Sequence, residues 1–204
     1  MVNLVPQPDS VMEILSRTGA YRRGHFIYPN GKHASHYFQM PLAFRYYDNA
    51  RILSVGLSRL FRMEKSIASQ LPKVSIISPS PGGIMVAFGV REALTAEQIY
   101  WAEMEDGKRQ FRQYMSEGEV HPAIIVDDIL RSGKAIEETF ALCKEIGTEV
   151  IGCGVIVKFD DSPSEFSGIP VKSLMSFDVN FYETEEQWKV SRSASEAEEQ
   201  KVRF

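Results

Sequence analysis

The sequence predicts an α/β fold: one parallel sheet with helices on both of its faces. Three observations lead there. Short runs that are apolar on both faces recur along the chain, at "VSIIS" (74–78), "QIYWAE" (98–103), "AIIVDD" (123–128), "VIGCGVIVKF" (150–159) and "VKSLMSF" (171–177). Segments of helical spacing stand between several of them. The strand-to-helix turns carry Gly, Ser and Pro.

In chain order, residues Ser10 to Thr18 are expected to form a helix with Asp9 or Ser10 as N-cap. "GHFIYPNGKHASHYFQM" mixes aromatics with turn residues, and "PNG" marks a tight turn, so a hairpin outside the main rhythm is expected. Asp48 is expected to cap a second helix, on which Ile52, Leu53, Leu57, Leu60 and Phe61 fall at helical spacing. "GGIMVAFGVREAL" (82–94) reads as a helix opened by two glycines, and "GKAIEETFALCKEIG" (133–147) as a helix closed by Gly147. "EMEDGKRQFRQYMSEGEV" reads as a long polar loop between two core strands, with a solvated charged hairpin as the alternative. The final "SRSASEAEEQKVRF" reads as a solvated helix or a loose tail.

The 204 residues, 44% of them apolar, suit a single domain with a sizeable core. A net charge of −4 sets nucleic acid aside as a partner. Cys143 and Cys153 lack CxxC spacing and read as small buried residues, not as a disulfide or a zinc site. No apolar run approaches the roughly 20 residues that span a bilayer. "MVNLVPQPDS" lacks the basic start and apolar core of a secretion signal, so a reduced, cytoplasmic setting is expected. His25, His33, His36 and His121 are not at metal spacing, and only His33 is a candidate for a site.

Ligands of parallel sheets bind beyond the carboxyl ends of the strands. At one such end stands "AIIVDDILRSGKA". Ser132 and Gly133 precede a helix, whose free N–H groups and partial positive charge make an anion cradle. Arg131 and Lys134 add charge. Neither GxxxxGK[ST] nor GxGxxG is present, so this is neither a Walker loop nor a dinucleotide fingerprint. Carboxylates followed by a phosphate cradle suit a ribose 5-phosphate: the acids accept from vicinal hydroxyls and can hold magnesium. "SPSPGG" offers a second helix start open to an anion. Lys108, Arg109 and Arg112 lie in the long polar loop, where they could gather on a pyrophosphate leaving group.

"IIVDDILRSGKA" resembles the diphosphoribosyl-binding motif of the type I phosphoribosyltransferases. Within that family the sequence is most similar to the orotate phosphoribosyltransferases, from about Gly19 to Lys158. The resemblance implies a type I phosphoribosyltransferase fold with a small hood, the hood from about residues 19–45 plus a C-terminal segment and the core from about 48–177. It implies that Asp127 and Asp128 contact the ribose hydroxyls of phosphoribosyl pyrophosphate (PRPP) and its Mg2+. Ile129, Leu130, Arg131, Ser132, Gly133, Lys134 and Ala135 would wrap the 5-phosphate. Ser80, Pro81, Gly82 and Gly83, with Lys108, Arg109 and Arg112, would face pyrophosphate. Tyr37 and Phe38 of the hood, with Lys158, would face the base. Asp127, Asp128 and Lys108 would carry the catalysis.

The family's mobile loop reaches into the neighbouring subunit, which implies a homodimer. The sequence departs from the family at three positions: Met104 stands for an arginine, Gly82 for a lysine, and Phe159 for an arginine after the "VIV" strand. In the hood, Pro29 stands where some members have a lysine, and Lys32 or Lys158 is the nearest substitute. Two alternatives accompany the orotate reading: transfer to another purine or pyrimidine base, and a non-catalytic PRPP- or nucleotide-binding regulator on the same fold.

Overall fold

Strands without a polar face must be covered on both sides, and the computed structural model of the protein covers them so. It describes residues 5–28, 30–113 and 120–191, and the backbone alone of 201–203. The main sheet comprises β3 (Ser75–Ser78), β4 (Gln98–Glu105), β5 (Lys108–Phe111), β6 (Ala123–Leu130), β7 (Val150–Phe159), β8 (Glu165–Phe166) and β9 (Ile169–Phe177). Its order is β5-β4-β3-β6-β7-β9-β8. The five central strands are parallel, and only the edges β5 and β8 run antiparallel.

Helices α3 (Tyr47–Arg62) and α5 (Ile84–Leu94) cover one face through Leu53, Leu57, Val86 and Val90. Helix α6 (Lys134–Glu145) covers the other through Ile136, Phe140 and Cys143. From β3 the chain crosses to β4 by way of α5, and from β6 it crosses the other way to β7 by way of α6. The direction of winding therefore reverses between β3 and β6. That switch point is where an open α/β sheet leaves a crevice.

A second sheet, of order β10-β2-β1-β11, forms the hood. It contains β1 (Tyr21–Ile27), β2 (His33–Phe38), β10 (Phe181–Tyr182) and β11 (Lys201–Arg203). Phe38 and Tyr21 pack on Phe177, and Phe38 packs on Phe159, which joins hood to core. Short helices α1 (Pro8–Arg17), α2 (Pro41–Phe44), α4 (Lys65–Ala68) and α7 (Glu185–Val190) complete the chain. Thr184 caps α7 by accepting from the Gln187 N–H at 3.2 Å. The fully buried Trp188 of α7 stacks on His25 at 3.8 Å and donates to Ser35 Oγ at 3.0 Å.

Several expectations shift. Helix α1 begins at Pro8, whose ring suits a first helical position, so Asp9 lies in the first turn and not at the cap. Asp48 likewise lies inside the first turn of α3, behind Tyr46. The expected polar loop is instead a hairpin: β4 runs on to Glu105, turns at Asp106 (φ 50°) and Gly107 (φ 76°), and returns as β5. Two positive φ angles on an Asp-Gly pair are what a tight hairpin requires, and "EDGK" carried that signal. The rest of that stretch, 114–119, lies outside the described residues, as do Pro29 and most of the tail (192–200). The last three tail residues described, 201–203, form a strand parallel to β1, neither a helix nor a loose end.

Close packing of α3 on α5 sets the distance from core to crevice. A Cβ on Gly89 would fall 2.0 Å from Ser54 Oγ and 2.6 Å from Ser54 Cβ. Gly89→Ala should therefore force the helices apart, at a cost of about 1–3 kcal/mol. Thermal unfolding should show it as a loss of roughly 2 to 12 °C in Tm.

Candidate active site

Two loops meet at the switch point. One follows β3 and runs through Ser80 into a 3-10 turn at Pro81–Gly83. The other follows the acidic end of β6. Asp127 and Asp128 lie within β6, which continues to Leu130, rather than at its end. Register places Ile77 beside Ile125, so the loop that follows Ser78 comes over the acidic pair of β6. The Ser80 hydroxyl donates to Asp127 Oδ1 at 2.9 Å, and the Asp128 N–H donates to the same oxygen at 3.0 Å. Asp128 Oδ1 accepts from the Ile129 N–H at 2.8 Å. The Ser80 side chain also accepts from the Gly83 N–H at 3.3 Å, while Ser78 Oγ donates to the Ser80 carbonyl at 2.6 Å.

These contacts require glycine. A Cβ on Gly83 would lie 2.3 Å from Asp127 Oδ1 and 3.0 Å from the Asp127 Cα. A Cβ on Gly82 would lie 3.1 Å from Asp128 Oδ2, so a side chain there would press on the acidic pair. Asp127 is only 5% exposed. Burial, and then the charge of Asp128, push its carboxyl well above the usual carboxylate range. Burial also raises Asp128.

The second loop is a tight turn. Gly133 has φ 77°, and a Cβ there would lie 2.6 Å from the Phe166 ring, so both conformation and space exclude a side chain. Ser132 Oγ accepts from the Lys134 N–H at 3.5 Å. Lys134 is exposed and reaches Glu138 at 3.7 Å. Arg131 turns away from the loop onto the hood. Its guanidinium carbon lies 4.0 Å from the Phe181 ring centre and 4.7 Å from that of Tyr28.

The hairpin cations are placed differently from one another. Arg109 bonds Glu138 at 2.9 Å and also donates to the Pro79 carbonyl, which ties the hairpin to α6 and to the first loop. Arg112 pairs with Glu105 at 2.8 Å. Lys108 is exposed and forms no ion pair among the described residues. Met104 stands directly across the hairpin from Arg109.

In the hood, Tyr37 stacks on Phe26 at 5.5 Å and meets Tyr28 edge-on at 5.9 Å. Phe38 is buried among Tyr21, Phe159 and Phe177, so its ring belongs to the core and does not front a crevice. Lys158 is half-buried on β7, beside Leu130. Lys32 is paired with Glu183 at 2.8 Å. His33 bonds His25 at 2.6 Å between ring nitrogens.

The sequence reading missed Tyr28, Phe181, Phe166 and Glu138, which hold Arg131, Gly133 and Arg109. All four reach the site from other elements, and no local motif marks them. The structure thus brings Asp127, Asp128, Ser80, Gly82, Gly83 and the loop 129–135 together. It sends Arg131, Arg112 and Phe38 elsewhere.

No family model matches the chain. Curated relatives do. The orotate phosphoribosyltransferase of Thermotoga petrophila is 30% identical over 178 residues, covering 86% of this chain and 89% of the relative. That of Thermoanaerobacter sp. (strain X514) is 31% identical over 180 residues, covering 88% and 90%. Among solved structures, orotate phosphoribosyltransferase from Aeropyrum pernix matches with a TM-score of 0.61 at 17% identity, over 81% of this chain and 93% of that one. The Mycobacterium tuberculosis H37Rv enzyme matches with 0.61 at 17% identity, over 84% and 97%. Adenine phosphoribosyltransferase from Thermoanaerobacter pseudethanolicus shares the fold with 0.57 at 14% identity, over 70% and 88%. With both loops at the switch point of this fold and 30% identity over most of its length, the chain belongs to the orotate phosphoribosyltransferase family.

Proposed function

We propose that the protein transfers the 5-phosphoribosyl group of PRPP to a ring nitrogen of orotate, giving orotidine 5'-monophosphate and pyrophosphate in pyrimidine biosynthesis. One observation carries the reading. Two adjacent carboxylates, Asp127 buried and Asp128 half-buried, stand between two tight turns, each opening a helical segment. Burying an acid pair is costly unless a ligand uses it. Asp127 and Asp128 would accept from the ribose hydroxyls, and the turn formed by residues 129–135, apart from the Arg131 side chain that lies on the hood rings, would hold the 5-phosphate. The amides of Gly82 and Gly83, with Lys108, would face pyrophosphate.

The C1–O bond to pyrophosphate breaks as the C1–N bond forms. Positive charge grows on the sugar and negative charge on the leaving group. Fixed donors and Lys108 favour that separation, and alignment of base and sugar does the rest. Arg109, set across the hairpin from Met104, keeps a cation on the hairpin face where the family carries its arginine.

Among the described residues, no three or more acidic, His or Cys side chains gather to hold a metal by themselves. The donor set still fits magnesium that arrives on PRPP, since such ions keep few protein ligands and take the rest from phosphate and water. Asp127 and Asp128 would hold it, and it would neutralise charge on the leaving group.

The setting we propose is the reducing cytoplasm. Two buried free thiols, Cys143 and Cys153, support it, each pushed up to about 12 by burial. No described helix is long and apolar enough to cross a membrane. We further propose a homodimer. Its support is an apolar groove of about 790 Å³ between α3 and α5, with Tyr47 77% and Phe88 50% exposed.

Pyrophosphate release from PRPP and magnesium is expected to be far faster with orotate than with uracil, hypoxanthine or adenine. Release with none of them would overturn transfer, and release with another base alone would move the acceptor. Asp127→Asn with Asp128→Asn should weaken PRPP binding, read by titration calorimetry, by roughly 100-fold or more.

Asp127→Asn alone should also raise Tm at pH 7. A carboxyl with a raised folded pKa holds its proton more tightly folded than unfolded. As pH climbs through the ordinary carboxylate range the unfolded chain ionises first, and the native fold loses stability until Asp127 itself ionises. Below that range both states are protonated, so the gain should vanish near pH 3. Sedimentation equilibrium should give a dimer for the native chain and a monomer for Phe88→Asp.

A further inference from the structure

We propose that Arg131 is the cation that receives the carboxylate of the acceptor base, a role that rests on the orotate reading above. Its place in the chain, within the phosphate loop, suggests a phosphate ligand. Its side chain is elsewhere. The guanidinium lies over two hood rings, 4.0 Å from Phe181 and 4.7 Å from Tyr28.

Those rings belong to the aromatic cluster of the hood, the part of the fold that the resemblance turns toward the base. Tyr28 meets Phe181 at 5.4 Å and Tyr37 at 5.9 Å. Phe181 in turn meets Phe159 at 6.2 Å. Phe159 occupies the position where the resembled enzymes place an arginine, and it is 2% exposed. So a buried ring has replaced that cation, and one ring away stands a guanidinium from another loop.

Arg131 is also uncommitted. Arg109, Arg112, Lys32 and Lys134 each pair with a glutamate. Arg131 forms no ion pair and no side-chain hydrogen bond among the described residues, only the two ring contacts. Ring contacts use the flat faces of a guanidinium and leave its in-plane N–H fork for an acceptor. A planar carboxylate is the acceptor that fork fits, with two parallel hydrogen bonds. Tyr28 is a lasting support for the stack. Burial raises its hydroxyl to about 12, so it stays neutral, and it donates to the His36 carbonyl at 3.3 Å.

Two other cations could serve, and each is less suited. Lys32 is engaged with Glu183. Lys158, beside Leu130, offers a point charge without a fork.

The experiment measures initial rates with orotate and with uracil, and PRPP affinity without base, for the native chain, Arg131→Met, Arg131→Lys and Lys158→Met. Methionine keeps length and apolar contact with the rings. Arg131→Met should raise KM for orotate by about two orders of magnitude. Its preference for orotate over uracil should fall by a similar factor, and its PRPP affinity should hold. Arg131→Lys, which keeps charge without the fork, should lose an intermediate amount.

An equal loss of PRPP affinity in both Arg131 variants would make the residue a phosphate ligand and overturn the proposal. So would a larger orotate loss in Lys158→Met than in Arg131→Met. A native chain inactive with orotate would fail the functional reading, and this inference with it. An active native chain whose Arg131 variants keep their orotate KM would sink the inference alone.

Discussion

The crevice depends on the approach of Gly83 to Asp127. A carboxylate almost wholly removed from water is tolerated because three groups converge on it. The Ser80 hydroxyl and the Asp128 amide satisfy one oxygen, and the missing side chain of Gly83 lets the first loop come close enough to do so. The same approach brings two helical starts to one point. One desolvated acid thus ties the loop after β3 to β6. Burial and the charge of Asp128 push its carboxyl up, so ionising it costs the native fold stability.

A second theme is the movement of positive charge. Measured against the family pattern, the chain lacks cations at 82, 104 and 159. Position 82 is crowded, since a Cβ there would lie 3.1 Å from Asp128 Oδ2. The other two have cationic neighbours, of which Arg109, opposite Met104, is already paired with Glu138, and Arg131 stands one ring from Phe159. A site needs positive potential in a region of space, not at a sequence position. Strand pairing and loop packing offer several backbone positions from which one region can be reached.

Much was legible in the sequence because it was local. The doubly apolar strands, the helices α5 and α6, the Asp-Asp pair and the glycine turn each carry their cause within a few residues. What shifted there was also local: "EDGK" settles as a hairpin the stretch that length favoured as a loop, and Pro8 opens a helix two residues before the expected start at Ser10. What was illegible was long-range. Phe166 fixes Gly133 from 33 positions away, and Phe181 and Tyr28 hold Arg131 from opposite ends of the chain. Phe38, aromatic and next to Tyr37, looked like a partner in base binding until alternation along β2 turned it into the core.

By itself the sequence determined the parallel α/β sheet, the two anion-cradling turns and the carboxylates that accompany them, since periodicity, glycine and proline act through neighbouring residues. Only the tertiary structure decided which charges are spent on holding the fold and which remain for a ligand. Arg109 and Arg112 are written as alike as any two arginines. One clamps the hairpin to α6 and the other crosses its own strands, while Arg131 is left with aromatic faces and an open edge. A side chain's role follows from which acids and rings folding brings within reach of it, and that distance is not recorded in the order of the chain.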